Sequence, residues 1–162
     1  LDFAKKLIEL INNGLSECGD TKGHGVGNTF SIWWGDKYSL TNPRLAGIRS
    51  YIYNCFNPMS NESNGGIMKI AILGTFAYDN LDTVIKNTID VCSVTHPAPL
   101  CVYSCIVLNY IISNLIKTNE RSEKFIFSLI LDVVKNTKHY IRNYIDELNK
   151  NIKEILKITL WA

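Results

Sequence analysis

Val94-Thr95-His96-Pro97-Ala98-Pro99, followed by LCVYSCIVLNYIISNLI from Leu100 to Ile116, is the stretch whose reading decides the fold. The run after Pro99 is mostly apolar and barely long enough to span a bilayer. It also contains Ser104, Asn109, Ser113 and Asn114. A central helix enclosed by other helices produces the same pattern, and that reading is preferred, so no membrane span is expected. Just upstream, Pro97 disfavours helical geometry for His96, which therefore ends the preceding helix. That helix is capped by Asp79 or Asn80 and keeps Leu81, Val84, Ile85, Ile89 and Cys92 at helical spacing.

Downstream, Ser122 to about Lys138 reads as another helix, with Phe125, Ile126, Leu129, Ile130, Val133 and Val134 as its apolar positions. The tail from Tyr140 to Ala162 is helical in pattern, as one helix or two, with Asp146, Glu147, Lys150, Lys153 and Glu154 on a solvent face. Toward the start, Leu1 to Asn13 reads as a helix stopped by Gly14. Asn42-Pro43 opens a helix to about Phe56, with proline at the first helical position. A helix from Ile67 to about Tyr78 follows the loop NPMSNESNGG. No segment alternates as a strand would. The expectation is one all-α domain over residues 1–162, an orthogonal or layered multi-helix bundle of about seven helices.

At 162 residues the chain is long enough to bury a core without a disulfide or metal staple. Its formal net charge of +2 and its scattered Lys and Arg exclude a phosphate-tracking surface, so no nucleic-acid partner is expected. The five cysteines are odd in number and form no C-x-x-C pair. Cys101 and Cys105 share a helix face near His96, a spacing that allows a metal. Buried free thiols acting as small hydrophobes are the preferred reading. Reduced cysteines suit the cytoplasm. Asn61-Glu62-Ser63 is a formal glycosylation sequon, but there is no signal peptide to give it weight. The chain begins at Leu1 rather than Met, so a fragment or processed product is the expectation.

Two long Gly-rich loops are the exception in a helical chain, and binding residues concentrate on such loops. One runs from Cys18 to Leu40, GDTKGHGVGNTFSIWWGDKYSL after the cysteine, and its Phe30, Trp33, Trp34 and Tyr38 argue against disorder. Its glycines can form a backbone concavity for an anion. It is not a nucleotide P-loop, because no strand precedes it and no Gly-Lys-Ser/Thr follows. The other ends in Ser63-Asn64-Gly65-Gly66-Ile67-Met68-Lys69. There two glycines let a ligand approach bare backbone at a helix start, or simply make the turn. His96 reads on its own as a helix-terminal cap.

Taken in order, these segments resemble the ADP-ribosylglycohydrolase family. SNGGIMKIAILG resembles that family's Ser-Asn-Gly-x-x-Met-Arg-x-x-x-Leu segment, and SVTHPAPLCVYSC its Thr-His-x-x-Pro element. GHGVGNTF resembles its glycine loop, and the closing TLWA its Ala-Leu-Trp-Ala stretch. The resemblance runs from about Gly19 to Ala162. It implies an all-α protein that binds ADP-ribose or an ADP-ribosylated protein and hydrolyses the bond at the ribose anomeric carbon. It also implies a pair of magnesium ions that orient the ribose and the attacking water. By carry-over, Ser63, Asn64, Gly65 and Gly66 hold the phosphate or ribose side, His96 lies near the same ligand, and Gly25 and Gly27 line the pyrophosphate path. Trp33 or Trp34 could flank the adenine, although core packing is the preferred role for both.

The departures shape the expectation. The family's first metal motif, a Thr-Asp-Asp-type triplet, has no counterpart here, and the last, an Asp-x-Asp-Thr-type element, would lie beyond Ala162. Asp2 and Asp20 sit in no carboxylate cluster, so no metal ligand and no catalytic side chain is assigned; little or no catalysis is expected if the chain is complete as given, and a magnesium-dependent hydrolase if a fuller product carries the missing ends. Gly25 stands where one form of the loop has an aspartate. Lys69 replaces the usual arginine, keeping the charge and losing the planar fork. The other readings are a catalytically inactive ADP-ribose-binding module and a structural helical protein, since the same fold occurs as a lens crystallin.

Overall fold

The computed structural model describes residues 2–23, 27–56 and 62–160. Seven α-helices carry these residues: α1 (Asp2–Asn13), α2 (Asn28–Gly35), α3 (Pro43–Phe56), α4 (Gly65–Ile70), α5 (Leu81–Thr95), α6 (Pro99–Thr118) and α7 (Glu123–Leu160). Two 3-10 turns, Ser16–Cys18 and Ala71–Thr75, complete the set, and no strand forms among the described residues.

The local signals act as the sequence predicts. Asn80 starts α5 in an extended conformation, and its side chain accepts the Thr83 N–H at 3.1 Å. Pro99 occupies the first turn of α6, and Asn119 ends that helix in the left-handed region at φ 54. The buried residues of α6, from Cys101 to Ser113, lie against α5, α7, α4 and the turn Ala71–Thr75. By length and composition alone α6 could cross a membrane. In this fold α4, α5 and α7 pack against it, and α3 is joined to it through α5.

Three apolar clusters result. The largest joins Ile48, Ile70, Ile85, Val102, Ile106, Tyr144 and Leu148 across α3 to α7. A second holds Ala4, Phe30, Trp33 and Ala46, and ties α1 and α2 to α3. The third, Tyr110, Leu129 and Val133, seats the first half of α7 on α6. α3 meets α5 with almost no side chain between them: a Cβ on Gly47 would lie 2.4 Å from the Val94 carbonyl oxygen. Only glycine permits that crossing.

Four expectations need correction. The segment from Cys18 to Leu40 is not one loop, because α2 forms inside it. Phe30 and Trp33, three residues apart, bury one face together, and Trp33 Nε1 donates to the Pro43 carbonyl at 3.1 Å. Trp33 is core as expected, whereas Trp34 is 40% exposed and is not. The helix expected from Ile67 to Tyr78 starts at Gly65 and tightens to a 3-10 turn at Ala71. The buried Asn109 of α6 takes up backbone groups on both sides of that change, donating to the Ile70 carbonyl and accepting the Gly74 N–H. Finally, the two segments from Ser122 to Lys138 and from Tyr140 onward are a single continuous α7.

Candidate functional site

The site is assembled at the corner between α5 and α6. His96 ends α5, its N–H donating to the Cys92 carbonyl at 2.8 Å. The ring is almost wholly buried, at 2% exposure, and its Nδ1 is hydrogen-bonded to Thr95 Oγ1 at 2.7 Å. Tyr144 of α7 donates to the Pro97 carbonyl at 2.6 Å, so the corner is held from the opposite side of the core. Burial, assisted by the nearby Lys69 ammonium, lowers the His96 pKa to about 4. At neutral pH His96 is an uncharged imidazole.

Against this ring lies the Ser63–Gly66 segment. A Cβ on Gly65 would sit 2.8 Å from His96 Nε2. Gly65 is thus required by the approach of an imidazole to backbone, not by turn geometry. Gly66 is buried, with the Cys92 and Cys105 sulfurs and the His96 Cβ at contact distance from where its side chain would be. Ser63 Oγ accepts the Gly65 N–H at 3.2 Å, and the Cys101 thiol donates to the Ser63 carbonyl at 3.4 Å. Cys92 and Cys105 pair sulfur to sulfur at 3.6 Å, and hydrogen bonding and burial push the Cys92 thiol well above its ordinary pKa. Such thiols are inert small hydrophobes.

Lys69, one turn further on, connects the second loop. Its Nζ lies 4.3 Å from the centre of the Phe30 ring. Although much of the side chain is exposed, desolvation of the ammonium lowers its pKa, and its charge acts on both His96 and Cys92. Lys69, Phe30 and Gly27 line one cleft of about 310 Å³ together with Leu7, Leu10 and Ile11 of α1 and with Asp20. Ser63 and Asn64 line a separate, smaller cleft of about 180 Å³, together with Cys101 and Ser104.

The predicted residues are therefore neighbours but do not share one cavity. Gly65, Gly66 and His96 touch; Gly27 belongs to the larger cleft; Ser63 and the exposed Asn64 belong to the smaller. Gly25 lies outside the described residues, as does the Trp161-Ala162 end of the closing motif. The apolar wall supplied by α1 was missed by sequence reasoning. The available signal was the apolar set Phe3, Leu7, Leu10 and Ile11 at helical spacing, of which Leu10 stays 39% exposed.

A divalent-metal centre does not fit these residues. Among the described residues no group of three or more His, Cys, Asp or Glu side chains comes together. The charged groups at the larger cleft are one lysine and one aspartate rather than the shared carboxylates a magnesium pair requires.

The family model described as ADP-ribosylglycohydrolase matches residues 1–160. The match takes in α1, further toward the start than Gly19. The chain matches no curated protein and no solved structure.

Proposed function

Because the chain belongs to the ADP-ribosylglycohydrolase family, we propose that it binds ADP-ribose, free or attached to protein, and serves hydrolysis of the bond at the ribose anomeric carbon. The observation that carries the reading is the convergence of three distant segments. Gly65 abuts His96, and Lys69 joins that pair to Phe30 and Gly27.

The larger cleft has the size and character of a nucleotide pocket. Its apolar wall of Leu7, Leu10, Ile11 and Phe30 suits the adenosine half. Lys69 supplies the positive charge for a diphosphate, and the Gly27 backbone leaves room for it. Ser63 and Asn64 line the separate smaller cleft, and they take the ribose side where the ligand extends beyond the larger one. The neutral His96 orients Gly65 and the backbone around it, acting as a positioning residue. No catalytic step is assigned to a side chain, and magnesium enters no step, because the described residues do not build a site for it.

Calorimetric titration with ADP-ribose, with and without magnesium, and a turnover assay on an ADP-ribosylated protein test this reading. Saturable binding with release of ADP-ribose supports it. Tight binding that ignores magnesium and gives no turnover makes the chain an inactive ADP-ribose-binding module, a reading favoured by the cation-bearing cleft. No binding at millimolar ADP-ribose leaves a structural helical protein and overturns the proposal.

A further inference from the structure

The first half of α7 has two apolar faces, and the fold uses one. Leu129 and Val133 are buried on α6. On the outer side Phe127, Ile130, Leu131 and Val134 are 66%, 44%, 78% and 55% exposed. Their steps of three and four residues place them in one stripe along the helix. The same stripe continues to the exposed Glu123 at one end and the exposed Lys138 at the other. The ion pairs Lys6–Glu9, Arg44–Glu147 and Arg49–Asp36 involve neither.

We propose that this stripe is the contact surface for a second copy of the chain, packed antiparallel about a two-fold axis between Ile130 and Leu131. In that arrangement Phe127 meets Val134 of the other copy, Ile130 meets Leu131, and Glu123 meets Lys138, each twice. An isologous contact must be complementary to itself. Reversing the helix direction is what turns an acid-to-base gradient into two attractive pairs. A parallel arrangement would set Glu123 against Glu123 and Lys138 against Lys138, so the charges select the orientation. The stripe is roughly 22 Å long at 1.5 Å per residue. Four apolar side chains per copy make a small interface, and small interfaces give reversible dimers.

Sedimentation equilibrium of the full chain over a range of concentrations tests this. A monomer–dimer equilibrium is expected, lost in Leu131→Asp, a substitution at an exposed position that leaves the circular dichroism spectrum unchanged. Glu123→Lys and Lys138→Glu alone should each weaken association by roughly tenfold, since each removes two pairs and creates two repulsions. The double variant carrying both should regain the original affinity. A monomer persisting to about 1 mM, association indifferent to Leu131→Asp, or a double variant as weak as the single ones would each overturn the proposal.

Discussion

At the scale of the residue, Asn64 and Gly65 are adjacent and do opposite things. Asn64 is exposed on a cleft, so Asn64→Ala should weaken ADP-ribose binding by about 1–3 kcal/mol, the cost of one buried hydrogen bond to ligand, and leave the melting temperature alone. Gly65→Ala drives a methyl into the His96 ring. It should cost about 1–3 kcal/mol of stability in urea titration. His96 makes a pH prediction. Its folded pKa of about 4 lies below the ordinary 6.5, so between these values the unfolded chain binds the extra proton. Stability is then full above pH 6.5 and lost as pH falls toward 4, by about 3 kcal/mol at most. His96→Gln should flatten that slope in melts recorded from pH 7 to 4; an unchanged slope would mean that other groups carry the acid sensitivity. His96 as a helix end was legible from Pro97. Its burial was not, because nothing local says what packs on a helix terminus.

Elements depend on contacts made far along the chain. Asn109 sits in a long, mostly apolar helix, yet its carboxamide joins the Ile70 carbonyl, the Gly74 N–H and the Thr88 hydroxyl at 3.2, 2.9 and 2.8 Å. The break from α4 to a 3-10 turn is held by that one side chain. Asn109→Leu leaves buried backbone groups unpartnered and should cost about 3 kcal/mol in urea unfolding. A loss below about 0.5 kcal/mol would show that water or a shifted turn satisfies them. The same logic explains α2. Its glycine-rich entry reads as loop, and the helix forms because Phe30 and Trp33 find α3 and Ala4, partners invisible to a local window. α7 stays continuous past Lys138 because Tyr140 and Tyr144 reach Asp82 and Pro97, keeping one helix against α6 and α3.

For the molecule as a whole, ligand and fold are linked. The larger cleft draws its walls from α1, α2 and α4, elements that meet only in the folded chain. ADP-ribose at a hundred times its dissociation constant should therefore add about 2.7 kcal/mol of stability. In a domain of this size the melting midpoint should rise by roughly 5–10 °C. Thermal denaturation with and without ligand measures it, and no shift under saturating conditions would mean that binding does not require the native cleft. The sequence by itself determined the helical class, most helix boundaries and the motifs SNGGIMK and THPAP, because periodicity, caps and prolines act over a few residues. Tertiary structure alone decided that Gly65 is seated on His96, that Lys69 bridges to Phe30, and that Asn64 and Gly27 open into different clefts. Those relations are set by how helices far apart in the chain pack against one another, and packing distances leave no trace in local spacing.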